Sequence, residues 1–167
     1  MRDKYWAMFT AIKHKEQYYR QYQLVVKRRN AVVSGICTFA SAGSIAGWCL
    51  WSEVPLLWAL IMGVAQVVQV FKPMLPFSAL LTGLHYMLPE LAVLLNEIDH
   101  EWDKVSGMDP ASDSYTEIIS TMIYRREDQY EELTSRFLND VYCPTISKCD
   151  SAAEAATRAY FKQRYNV

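Results

Sequence analysis

Residues 30–71 read NAVVSGICTFASAGSIAGWCLWSEVPLLWALIMGVAQVVQVF and hold one charged side chain, Glu53. Arg29 is the last basic residue before this stretch and Lys72 the first after it. Crossing the ~30 Å hydrocarbon core of a bilayer takes roughly 20 apolar residues in a helix. The first run, about 30–52, draws its hydrophobicity from Val33, Ile36, Phe39, Ile45, Trp48 and Leu50. The second, about 55–72, is rich in Leu, Val, Trp, Ile and Met. Joined by Ser52-Glu53-Val54-Pro55, the two runs predict a two-span transmembrane helical hairpin. The expected fold class is therefore an all-α membrane protein, with a long N-terminal helix and a cytoplasmic helical bundle.

The flanks orient the hairpin. Eight Lys and Arg precede it, ending in Lys27-Arg28-Arg29, and Lys72 follows it, whereas the turn at Ser52–Pro55 has none. Short loops rich in Lys and Arg stay cytoplasmic, so both termini are expected inside. Trp48, Trp51 and Trp58 cluster near the turn, where an interfacial aromatic belt belongs. Lys27, Arg28, Arg29 and Lys72 suit topology and attraction to an anionic leaflet equally, each basic residue being worth on the order of 1 kcal/mol there.

Within the first span, Ser34, Thr38, Ala42 and Ala46 form a row at four-residue spacing, and Gly35, Gly43 and Gly47 mark the next. Gly43-x-x-x-Gly47 permits close helix approach in lipid, within the hairpin or between chains. Gln66 and Gln69 share a face of the second span. Amides in a span usually face protein or water. These two fit a polar path in an oligomer, an interhelical hydrogen bond, or a place near the cytoplasmic headgroups.

Residues 1–29 read as an amphipathic helix, with Tyr5, Phe9, Ile12, Tyr19 and Val26 sharing a face. No Pro or Gly interrupts Met1 to Ser34, which predicts one helix running unbroken into the first span. The charged start is not a cleavable signal peptide. After the hairpin, Phe77, Leu81, Leu84, Leu88, Leu91, Leu95, Ile98, Trp102 and Val105 follow alternating steps of four and three, a heptad seam over 73–106. The absence of acid and base from Pro73 to Pro89 raises a third span, but Pro76, His85, Pro89 and the acids from Glu90 onward argue for a membrane-proximal helix kinked or restarted near Pro89. Residues 107–167 predict a cytoplasmic helical tail. Ser114-Tyr-Thr-Glu117 and Ser151-Ala-Ala-Glu154 each match a capping box and open one helix apiece. Arg125, Arg126, Glu127, Asp128, Glu131, Glu132 and Arg136 make the polar side of the first.

The totals exclude some classes. A net charge of -1 argues against a nucleic-acid partner, and a mean hydropathy near zero only averages very unlike segments. Of four cysteines, Cys37 and Cys49 act as small hydrophobes in the first run, and Cys143 and Cys149 are expected as cytoplasmic thiols. No phosphate loop, nucleophile elbow or CxxC pair occurs. Glu97-x-x-His100 matches half of a di-iron bundle signature, but no second copy exists to complete it. His14 and His85 lack evident partners. The sequence therefore predicts a non-enzyme with no cofactor and no metal.

Tyr18-Tyr19-Arg20, Lys27-Arg28-Arg29, the hairpin, and Pro89-Glu90-Leu91 to Glu101-Trp102 together resemble, over about residues 1–105, the SLATT family of bacterial two-transmembrane proteins. The resemblance is one of architecture. It implies an oligomeric effector of bacterial conflict or anti-phage defence in a bacterial inner (plasma) membrane, pore-forming or membrane-disrupting, that answers a sensor protein or nucleotide signal. No fused sensor is recognisable in this chain, so the resemblance places the trigger on a partner or small molecule. The alternative is a non-enzymatic anchor or scaffold whose cytoplasmic helices recruit a partner.

Overall fold

The computed structural model describes residues 1–50, 55–71, 77–112, 114–138 and 143–166; the side chains at 37, 39–50, 55, 57, 58, 61, 62, 65, 69, 77 and 78 are outside that description. The fold is all-α. Five helices and no strand occur among the described residues: α1 (Arg2–Leu50), α2 (Pro55–Phe71), α3 (Phe77–Gly107), α4 (Tyr115–Leu138) and α5 (Ser147–Tyr165). α1 is one unbroken helix of 49 residues, as the lack of Pro and Gly in its first two-thirds predicts.

The chain forms two compact units. Residues 1–23 and 82–167 make the first, and residues 24–81 the second. The first is a bundle of α1, α3, α4 and α5. Tyr5, Met8, Phe9, Ile12, Tyr19 and Tyr22 bury one face of α1, and Leu84, Met87, Leu88, Leu91, Leu94, Leu95, Ile98 and Val105 bury that of α3. The buried stripe of α3 is wider than the predicted seam, because Met87 and Leu94 fill the position beside it; a helix facing two neighbours needs this broader face. α1 and α3 run antiparallel: Arg2 Nη2 donates to Ser106 O at 2.9 Å, and Tyr5 OH to Ile98 O at 3.2 Å. α3 and α4 are also antiparallel, since Glu101 meets Arg126 and Glu90 meets Arg136. α5 returns along α1, setting Phe161 and Tyr165 against Trp6 and His14 against Asp150.

Gly83 marks the closest helix contact. A Cβ there would collide with the backbone carbonyl of Phe137. The heptad pattern of α3 does not signal this requirement.

Three expectations need correction. Of the kink or restart expected near Pro89, the restart does not occur: α3 runs through, with Pro89 inside it and exposed. The prolyl ring faces outward while Leu88 and Leu91 on either side are buried, so packing holds the helix across the missing hydrogen bond. α5 begins at Ser147, one turn before the Ser151 capping signature, and the Ser151 hydroxyl donates back to Lys148 O inside the helix. Its N-cap, Ile146, has no side-chain cap; the Ile146 N–H instead donates to Tyr18 OH at 3.1 Å, and that hydroxyl donates to Pro144 O at 2.7 Å. Ser114 does precede α4, but its hydroxyl lies 3.3 Å from that of Ser112.

One helix among the described residues is long and apolar enough to cross a membrane, Ala79–Gly107 within α3. Its apolar face is the one already closed against the aromatic side of α1, and a bundle-core helix has that same composition. The second unit contains residues 24–50 of α1, all of α2, and the first turn of α3. α2 has 17 residues, or about 26 Å of helix.

Candidate functional site

The predicted sites fall in the second unit. Lys27, Arg28 and Arg29 are all exposed. Of the small-residue row, Ser34 is half-buried, while Thr38 is exposed and donates its hydroxyl to Ser34 O at 2.9 Å, a bond within its own helix. A Cβ on Gly35 would meet nothing within 4 Å. The described part of the row therefore makes no close helix contact inside the chain at Gly35 or Thr38. The side chains of Ala42, Gly43, Ala46, Gly47 and Gln69, and Lys72 entirely, lie outside the described residues. Gln66 is exposed and has no hydrogen-bond partner among the described residues.

Around Gln66 the surface is apolar. Leu56, Leu60, Val64, Val67 and Phe71 follow one face of α2 at helical spacing, with Val70 beside it, and each is more than half exposed, Leu56 reaching 80 %. On α1, Val32 and Ile36 are likewise exposed. Burying such a side chain is worth on the order of 1–2 kcal/mol at this degree of exposure. A contiguous row of them is uncommon on a surface that faces only water.

The first unit holds a second constellation, which the sequence reading had placed on solvated faces. Glu101 and Arg126 are both buried. Arg126 donates through Nε and Nη2 to the Glu101 carboxylate at 3.0 and 2.8 Å, and its Nη1 bonds Glu97 and Gln129. Tyr5 OH donates to Glu101 at 3.2 Å, and Arg125 adds a further charged contact. Burial by itself raises the Glu101 pKa, but the hydrogen bonds and charge of Arg126, the charge of Arg125 and the Tyr5 hydroxyl outweigh it and hold the carboxyl below the usual range. Burial and the adjacent carboxylate push the Tyr5 phenol far above its ordinary value, so it stays a donor.

Two smaller polar clusters accompany it. Glu16 is buried on α1 and is held by Lys13 at 2.8 Å and by Arg20. Asp99 accepts from Arg164 at 3.2 Å and from Tyr165.

These positions did carry a signal. Glu16 continues the series Tyr5, Phe9, Ile12 on α1; Glu101 falls between Ile98 and Val105 on α3; Arg126 falls on the line of Tyr115 and Ile119 on α4. A charge recurring at an apolar register position marks a buried pair. Burying such a pair locks helix register more than it adds stability. Each charged member here is partnered, so the network joins α1, α3 and α4 without leaving a group free for proton transfer.

Glu97, half of the carboxylate–histidine signature, is committed to Arg126, while His100 is exposed. Among the described residues no group of three His, Cys, Asp or Glu could hold a metal ion. Cys143 and Cys149 are free thiols. Burial pushes the Cys143 thiol up to about 11.

Comparison with family models, with curated proteins and with solved structures gave no match.

Proposed function

We propose that the chain is an oligomeric two-span membrane effector of the SLATT kind. In this reading residues 30–72 form a hairpin in a bacterial plasma membrane, with both termini cytoplasmic. The helical bundle senses a signal or partner, and assembled hairpins then compromise the bilayer. The observation that carries the proposal is the uncovered apolar face of α2, from Leu56 to Phe71. Hydrocarbon is the environment that leaves such a face uncovered at no cost.

Gln66 supports assembly. An amide exposed beside that face needs a polar partner in lipid, and a neighbouring chain or a water-filled lumen supplies one. The open space around Gly35 fits the same reading, because a Cβ there would meet nothing within 4 Å and the position is free to pack against another chain.

The test is uptake of a membrane-impermeant dye by cells producing the full chain. Uptake is expected with wild type and is expected to fall when Gln66→Leu or Gly43→Leu is introduced at equal membrane abundance. Intact membranes under every condition, partner genes included, would remove the effector reading. Replacing Leu60 with Arg tests the hairpin itself. An Arg at mid-span costs about 2.5–3.5 kcal/mol of insertion, so the variant should leave the membrane fraction.

The anchor or scaffold reading draws on α4, whose exposed surface carries Tyr124 at 67 % among Glu127, Asp128 and Glu131. A partner captured from that surface, with membranes left intact, would favour it.

A further inference from the structure

The network at Glu101 leaves one feature of the bundle unexplained: a groove of about 790 Å³ between α1 and α5. It is a void because Ala7 and Ala11, both exposed, stand where larger side chains would fill it. Because the two helices are antiparallel, the groove has a direction. Trp6 and Phe161 form one end, His14, Lys15 and Glu154 lie at the other, and Arg158 stands between them beside Thr157. Thr10 and Thr157 line the middle.

Thr157 is 95 % buried, and its hydroxyl oxygen and that of Thr10 are shielded from water and have no hydrogen-bond partner. Buried hydroxyls are nearly always paired. Two such unpaired hydroxyls belong to residues that line the middle of one groove.

The charged end completes the description. Arg158 is paired with Glu154 at 2.5 Å, and His14 lies 3.5 Å from Asp150. Lys15 is exposed and makes no ion pair among the described residues. The groove therefore offers a flat apolar end, hydroxyls at mid-length, and one uncommitted positive charge. Its volume is that of sites for small organic ligands.

We infer that this groove binds a small amphipathic anion, with an aromatic body lying against the touching rings of Trp6 and Phe161 and a single negative group held by Lys15. The site is built wholly from bundle residues and does not depend on the hairpin lying in a membrane.

Calorimetric titration of the full chain in amphipol tests it, with naphthalene-2-sulfonate as probe and the uncharged naphthalene-2-sulfonamide as comparison. One site per chain is expected, with the sulfonate about tenfold tighter than the sulfonamide. A11W, on an exposed position, should abolish binding with the melting temperature unchanged, and K15Q should bring the sulfonate to the affinity of the sulfonamide. T157V should weaken binding while the fold is no less stable, since the hydroxyl it removes has no partner. Absence of saturable binding, equal affinity for the two probes, or full binding by A11W would each overturn the inference. So would dissociation of an oligomer by A11W, which would assign the groove to a second copy of the chain.

Discussion

Replacing Glu101 by Leu should cost more than replacing Arg126 by Met, although the two side chains form one pair. The Glu101 side chain is 11 % exposed and that of Arg126 7 %, so neither charge is hydrated when its partner is lost. In Glu101→Leu the guanidinium keeps only Glu97, whose side chain is half exposed, and the Gln129 amide. Breaking a buried pair in this way costs about 3–5 kcal/mol. Tyr5 adds little to that cost, since its hydroxyl still reaches Ile98 O at 3.2 Å. In Arg126→Met the carboxylate keeps Arg125 and the Tyr5 hydroxyl. The loss is then about 1.5–3 kcal/mol, the worth of charged hydrogen bonds. The double variant Glu101→Leu/Arg126→Met removes both charges together and should recover most of the larger loss. Denaturant unfolding of the full chain in one detergent, followed by tryptophan fluorescence, measures all three; Trp102 lies 4.7 Å from Trp6 and 6.1 Å from Tyr5 between ring centroids, close to the pair. Equal losses in the two single variants, or a double variant at least as unstable as Glu101→Leu, would refute this account of the network.

The same carboxylate sets an acid limit. Its folded pKa is depressed below the ordinary 4.5, so its stabilisation is whole above that value and is lost as pH falls through the folded one. Glu101→Gln should flatten the acid side of the stability–pH curve, which a set of melts from pH 6 downward would reveal. Gly83→Ala places a methyl group against the Phe137 carbonyl and should destabilise the bundle by about 1–3 kcal/mol, measured in the same unfolding assay. Tyr18→Phe strips the Ile146 N–H and Pro144 O of their shared hydroxyl and should cost about 1–3 kcal/mol, with faster amide exchange confined at first to the start of α5. With its thiol at about 11 in place of 9.0, Cys143 should alkylate roughly a hundredfold more slowly in the folded chain than in denaturant at pH 7, as peptide mass spectrometry would record.

The all-helical architecture was legible because each helix of the bundle repeats its apolar residues at 3.6-residue spacing. The Tyr5–Val26 face and the Leu84–Val105 seam needed no knowledge of their partners to be recognised. Local signals did less well where a distant residue decides the outcome. α5 starts at Ser147 because Tyr18 satisfies Ile146 from across the bundle, and the Ser151 signature has no way to register that. Pro89 looked like a break since its missing N–H is a local property, whereas the leucines that hold α3 together make tertiary contacts. Arg126 was placed on the polar side of α4 on charge alone; its register, like that of Glu16 and Glu101, argued otherwise. Over residues 30–71, composition marks two apolar runs. Which of their side chains stand uncovered is written in surface exposure, visible at Leu56, Gln66 and Gly35 and not in residue type.

The bonds that Tyr5 and Tyr18 make also order events in time. Tyr5 finds its acceptor 93 residues later in the chain, and Tyr18 finds its partners 126 and 128 residues later. During synthesis the aromatic face of α1 is complete long before α3 emerges, and α5, which closes over Phe9 and Trp6, comes last. Contacts this distant make for slow closure. Until residues 147–165 leave the ribosome, the nascent chain presents tyrosines, a tryptophan and a phenylalanine along a basic helix. Until then that face is apolar surface with nothing to bury it, the kind of exposure that makes a partly folded chain prone to aggregate.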